Sequence, residues 1–310
     1  MISTPLVSPS NANPFILPGH WYRGNTHCHT TISDGRREPR DAVKWYREHG
    51  YDFLVLTDHN KVATANDLAV DGILVIPGIE LDAIDPQIGA YHLVGLGIRS
   101  YAEPHQPDLS LQAATDRLRA LSGLPILSHP YWMGLRPADL KDIQGLTGLE
   151  VFNTTCELSN GKGLSDAFWD ELLERGTLIW GIAADDTHWK QQRDDPGGGW
   201  IMVRAPDCTE ESILWAISRG HFWATSGPEL RKIWVEKETV HVECSPVKII
   251  NFKAQGRHGH SERVRQASLI TGASFELRGP EAYIRIEIID DLGRRAWSNP
   301  FYLPTEEHAV

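Results

Sequence analysis

Two histidines one residue apart, His27 and His29, stand in the segment NTHCHTTISDG of residues 25–35. When such a pair ends a strand, the spacing is that of metal ligands: successive strand side chains point to opposite faces, so residues i and i+2 share one face and reach one ion. Asp34 follows in a turn signalled by Gly35, and the same kind of ending recurs down the chain. YDFLVLTDHN delivers Asp58 and His59, ILVIPGIE ends in Glu80, PILSHP ends in His129, and LIWGIAADDTH ends in Asp185, Asp186 and His188. Each alone reads equally well as a capping aspartate or a satisfied core histidine. Apolar runs that all terminate in His, Asp or Glu point to convergence, because strands of parallel β/α architectures present their C-terminal ends on one face, where active sites sit. His92 instead precedes its apolar run, LVGLGI, and only 11 residues separate it from Glu80. A parallel crossover takes a dozen or more, so the spacing predicts an antiparallel return that sets His92 beside Glu80.

Mixed imidazole and carboxylate donors suit Zn²⁺, Mn²⁺ or Fe²⁺. Hydrolysis is their natural use: water bridging two ions is acidified toward neutral pH, and the remaining positions polarise a phosphoryl or carbonyl oxygen. A leaving group needs an acid within hydrogen-bond reach. Asp58, Asp185 and His221 are the polar candidates near the expected rim, each with a structural role as the competing explanation. For an anionic substrate the candidate contacts are Arg36, beside Arg37 after the Asp34-Gly35 turn, Lys61 after His59-Asn60, and Lys162 in the glycine-rich loop 160–163, which lacks P-loop spacing. All can equally be solvated surface charges. Trp132, with Trp169, Trp189 and Trp200, adjoins these segments and suits an aromatic or apolar substrate, although Trp169 shares helical spacing with Leu172 and Leu173. Phosphate esters need cations for the non-bridging oxygens and a neutral carbamate needs an apolar pocket, so the surroundings of Arg36, Lys61, Lys162 and Trp132 discriminate the two.

These residues require an α/β scaffold. Strand-type runs at 21–27, 53–57, 73–79, 92–98, 125–128, 148–152 and 178–183 alternate with helical segments such as 39–49 and 165–175. Seven strands with intervening helices predict a β/α barrel. After a glycine run at 197–199 and a helix at 210–218, period-2 alternation takes over, as in Val240 and Val242 or Ile284, Ile286 and Ile288. The expected organisation is an N-terminal extension (1–20), a metallohydrolase domain (21–226) and a small β-rich domain (227–310). At 310 residues, with 41% hydrophobic and 23% charged residues, the chain has material for a core and no compositional case for disorder. Residues 227–310 carry 12 basic and 12 acidic side chains, so the net charge of −11 belongs to residues 1–226. That balance repels a phosphate backbone and argues against a nucleic-acid partner. Four scattered cysteines without a CxxC pair suit a reducing, cytoplasmic setting, and residues 1–22 lack the features of a signal peptide. No apolar stretch approaches the roughly 20 residues of a membrane span, which leaves a small-molecule substrate as the expected partner.

In order along residues 21–190, His27-x-His29, Asp34-Gly35, Thr57-Asp58-His59, Glu80, His92, Ser128-His129-Pro130 and Asp186-x-His188 resemble the ligand motifs of the PHP (polymerase and histidinol phosphatase) family, with all nine ligand positions filled. The resemblance implies a distorted seven-stranded β/α barrel with two to three divalent ions. One would be held by His27, His29, Glu80 and Asp186, a second by Glu80, His92 and His129, and the third by Asp34, His59 and His188. The stretches Ser128-His129-Pro130-Tyr131-Trp132, Ala184-Asp185-Asp186-Thr187-His188-Trp189, Thr225-Ser226-Gly227-Pro228 and Ala296-Trp297-Ser298-Asn299-Pro300 are similar to a narrower carbaryl-hydrolase-like subgroup, some members of which hydrolyse carbamate esters. The leading expectation is a phosphoesterase of small phosphorylated compounds. A carbamate, ester or amide hydrolase on the same ions is the alternative. A non-catalytic metal-binding module comes last, since it predicts degraded ligands and none is degraded.

Overall fold

The computed structural model describes residues 13–63, 70–191, 194–264, 268–279 and 281–302. Its first part runs β1 (His20–Asn25), α1 (Pro39–Glu48), β2 (Phe53–Leu56), β3 (Leu74–Asp85), β4 (Gly89–Leu96), α2 (Leu111–Ala120), β5 (Leu124–Leu127), α3 (Pro130–Met133), β6 (Gly148–Asn153), α4 (Thr154–Asn160), α5 (Asp166–Glu174) and β7 (Trp180–Ala184). These strands lie side by side in chain order. β1, β2 and β3 are parallel, as are β5, β6 and β7, while β4 runs antiparallel to both its neighbours. The expected antiparallel return is therefore present. It differs in extent: β3 continues past Glu80 to Asp85, β4 begins at Gly89, and His92 lies directly opposite Asp82.

Local chemistry explains the elements. α1 starts on Pro39, which needs no N–H there, and Gly50 (φ 77°) follows its end. Its Ala42, Val43 and Tyr46 cover Leu54 and Leu56 of β2. Between β7 and β1 the barrel has a seam. Along its length β1 pairs antiparallel with an eighth strand, β8 (Trp200–Ala205), which the reading of seven strands passes over although Ile201, Val203 and Ala205 are buried in alternation. Beyond the strand ends the chain closes: Cys28 bridges Thr187 in parallel, Asp186 N–H donates to the His27 carbonyl (3.0 Å), and His29 N–H donates to the Thr187 carbonyl (3.0 Å). Closure thus falls on the residues whose types carry chemistry.

After α6 (Glu210–Ser218), β9 (Phe222–Thr225) pairs with β8. The remaining strands are β10 (Leu230–Glu236), β11 (Thr239–Val247), β12 (Ile249–Lys253), β13 (Gly259–Arg263), β14 (Ile270–Glu276), β15 (Tyr283–Ile289), β16 (Arg295–Ser298) and β17 (Phe301–Tyr302). β16 pairs with β9 and extends the large sheet through β15, β12 and β13, and a separate sheet β10–β11–β14 packs with it to bury Ile233, Val240, Val242, Phe252 and Ile286. No helix among the described residues is long and apolar enough to cross a membrane.

Candidate metal centre

The strand ends bring all nine expected donors together. His27 and His29 lie just past β1, where the Cys28 bridge preserves strand alternation, and both are fully buried. His59 lies beyond β2 and bridges Glu80 of β3, whose side chain is 1% exposed. His129 ends β5 with φ 30° and Asp186 follows β7 with φ 54°. Left-handed backbone at a bulky non-glycine residue is strained and persists where surrounding structure enforces it, commonly at functional sites. The loop carrying Asp34 folds tightly back: a Cβ added to Gly35 would lie 2.6 Å from the His29 carbonyl, so only glycine fits.

At the centre, His29 Nε2 lies 3.0 Å from Asp186 Oδ1 and 3.2 Å from Glu80 Oε2, and His27 Nε2 lies 3.3 Å from both Glu80 Oε1 and Asp186 Oδ1. The two Nε2 atoms are 3.1 Å apart. Ligand bonds of about 2.1 Å place neighbouring donors of one ion about 3.0–3.4 Å apart, so these spacings suit a shared divalent cation. Asp186 Oδ1 is buried without a hydrogen-bond partner, and so are the Nδ1 atoms of His29, His59 and His129. The residues present therefore fit a metal. Around the core, three further groups have donor atoms within 4.8 Å of one another: His29, Asp34, His59 and His188; His59, Glu80 and His92; and His129, Cys156 and Asp186. The structure thus sets His59 with Glu80 and His92, and brings Cys156 beside His129.

Electrostatics match this arrangement. Burial alone would raise the Glu80 and Asp186 carboxyls, but the adjoining histidines hold both well below the usual range. A hydrogen bond with His188 lowers Asp34. Burial opposes protonation of His29, yet Asp186 and Glu80 raise it to about 9.

The three expected acids sit elsewhere. Asp58 spends its oxygens on the backbone and hydroxyls of Thr30 and Ser33 (2.6–3.0 Å), fixing the loop before Asp34. Asp185, raised to about 6 by burial, accepts from Tyr46 (2.7 Å), Asn25 and the Gly197 and Gly199 amides (2.8 Å each). His221 is a correction of place. Its carbonyl accepts from Arg204 N–H (2.8 Å) just before β9, level with Trp21 and Tyr22 at the start of β1. His27 is five residues further along from Tyr22, about 17 Å at strand rise. β8 reverses direction, so β9 begins at the opposite end of the barrel.

A cavity of about 220 Å³ opens onto the donors, and Trp132 lines it as expected from its sequence position. Arg36, Lys61 and Lys162 do not. Arg36 borders a groove with Asp41 and Lys44 along α1, Lys61 donates to the Ile32 carbonyl (2.7 Å), and the Lys162 ammonium lies 5.7 Å from the Tyr131 ring. The lysine that does line the cavity is Lys190, two residues after His188. Sequence reasoning also missed Asp195, which binds the His188 amide (2.9 Å) and the Thr187 hydroxyl, and Glu150, which binds His27. The first follows a segment with no strand signal, and the second lies inside a strand rather than at its end.

No family model and no curated relative matches this sequence. Among solved structures, the chain is similar to a two-domain protein from Bacteroides vulgatus containing a predicted PHP-like metal-dependent phosphoesterase, with TM-score 0.51 and 14% identity over 90% of this chain and 94% of that one. A candidate metal-dependent phosphoesterase from Bifidobacterium adolescentis aligns with TM-score 0.43 and 15% identity (56% and 89% covered). An amidohydrolase from Chromobacterium violaceum with bound sulfate aligns with TM-score 0.46 and 15% identity (64% and 96% covered). The chain thus shares the mixed α/β fold of the first of these, a large sheet with parallel strands beside a small antiparallel sheet, and carries a buried His/Asp/Glu cluster at its strand ends.

Proposed function

We propose that this chain is a metal-dependent hydrolase of small phosphate esters, with two to three ions of Zn²⁺, Mn²⁺ or Fe²⁺ held by the nine donors. The observation that carries the reading is the convergence of His27, His29, Glu80 and Asp186 at 3.0–3.3 Å beneath a cavity also lined by Lys190. Divalent ions, when bound, acidify water and polarise the oxygen of the bond to be cleaved. The chain's own residues do the rest. Lys190 supplies the positive charge that non-bridging phosphoryl oxygens require. Trp132, its ring 5.2 Å from that of His129, gives the departing alcohol an aromatic wall. The cavity volume limits the substrate to a small molecule.

Trp132 is also the observation that favours a second reading, hydrolysis of an aryl carbamate, ester or amide on the same ions. The two separate on one variant. Assayed on aryl phosphates, phosphodiesters and aryl carbamates after metal loading, Lys190→Met lowers kcat/KM for the phosphate substrate about a hundredfold and leaves carbamate turnover unchanged. Turnover of carbamates alone by the wild type selects the second reading.

A further inference from the structure

Six of the seven barrel strands send an imidazole or carboxylate into the donor groups from within the strand or just past its end; β6 does not. It sends Glu150, 1% exposed, behind them. Glu150 Oε1 lies 2.6 Å from His27 Nδ1, while Oε2 accepts from the His129 amide (2.9 Å) and from Asn153 Nδ2 (2.8 Å). The same Asn153 amide group reaches Asp186 Oδ2 at 3.2 Å. In a regular strand, residues 150 and 153 face opposite sides. Here the β6–β7 register shifts between Glu150 and Phe152, and one extra residue turns Asn153 onto the face of Glu150. We propose that Glu150, assisted by Asn153, is a positioning residue that clamps His27, His129 and Asp186 into one unit, so that metal ions on different sides of the cluster are retained or lost together. The proposal rests on the metal-hydrolase reading above.

The chemistry is that of an acceptor with three donors to serve. A carboxylate only accepts, so Nδ1 of His27 keeps a proton toward Glu150, and Nε2 is the nitrogen left to give a lone pair to an ion that displaces its own proton. The other oxygen holds the backbone of His129 in its left-handed conformation, which nothing in the side chain of His129 would favour. Glutamine has the same shape and cannot replace it: a single carbonyl oxygen serves one side, and the NH₂ group confronts a donor on the other.

The test uses the full chain and Zn²⁺, titrated against a chromophoric chelator, for the wild type, Glu150→Gln and Asn153→Ser. The serine variant keeps an oxygen able to cap α4 while removing the amide donor. Glu150→Gln is expected to weaken every site together, by about 10- to 100-fold, and Asn153→Ser by about 3- to 10-fold. In the Zn²⁺-loaded wild type, NMR shows a strongly hydrogen-bonded Nδ1–H on His27, shifted upfield in Glu150→Gln; a residue that merely supports folding would not move it. A folded Glu150→Gln protein with wild-type stoichiometry and affinity within threefold overturns the clamp. Should that variant fail to fold, unchanged affinity in Asn153→Ser overturns it. A wild-type chain that takes up no metal refutes the underlying reading instead.

Discussion

Two largely buried clusters of charge in this molecule are built on opposite rules. Between α5 and the extended sheet, three cations face three anions. Arg285, fully buried on the ring of Trp169, binds Asp170 through Nε at 2.7 Å; Lys253 binds Asp166 and Asp170 (2.8 and 3.0 Å); Arg295 binds Glu287 (2.7 Å). At the barrel's strand ends, Asp34, Glu80, Glu150 and Asp186 have only histidines within 4 Å as charged partners among the described residues. Strained backbone accompanies that second cluster, at His129 and Asp186. A network that neutralises itself joins two parts of a fold. Acidic and imidazole groups without a matching Lys or Arg are what a cation from outside could neutralise.

The contrast can be broken first by removing His29. Its Nε2 touches both central carboxylates, so His29→Ala is expected to lower kcat/KM by at least about a thousandfold and to reduce bound metal, in a protein that still folds. Arg285→Met should do the reverse. Asp170 then keeps Lys253 as its one cation and loses the charged hydrogen bond from Arg285, which costs about 2 kcal/mol in urea unfolding while Zn²⁺ affinity stays at the wild-type value. Loss of metal in the second variant, or of folding in the first, would dissolve the distinction.

A smaller effect separates the clusters by pH. His29 is raised to about 9, so its contribution in the metal-free protein is fully present below the unfolded value of about 6.5 and is lost as pH rises toward 9. Asp166, lowered against its burial by Lys253, contributes above about pH 4 and is lost only in acid. Unfolding of chelator-treated protein should therefore show stability falling between about pH 6.5 and 9, and bound metal should flatten that fall by taking the proton's place. A metal-free profile flat across this window would contradict the electrostatics of the centre.

What the sequence makes legible follows from the same contrast. The nine donors are readable because each lies at or near the end of an apolar run, and strand direction alone carries it to the common face. Even His92, out of pattern, follows from the short span after Glu80. Glu150 and Asn153 are illegible because a one-residue register shift, invisible in the residues themselves, decides that they share a face. Arg36, Lys61 and Lys162 show the limit of adjacency: residues next to a ligand in the chain turn outward once the loop leaves the strand end, whereas Lys190 turns in. His221 is misplaced because β8 reverses the parallel rhythm, and the charged residues that alternate with the isoleucines of β15 are buried too, Arg285 under Trp169 and Asp170 of α5 and Glu287 against Arg295.

The most direct test is elemental analysis of the purified chain and of His29→Ala after incubation with Zn²⁺ or Mn²⁺ and removal of unbound ions. The cluster geometry predicts two or more equivalents retained by the wild type, stripped by chelator, and a clear loss in the variant. Less than one equivalent in the wild type, or equal retention by both proteins, would contradict a metal centre built on His27, His29, Glu80 and Asp186.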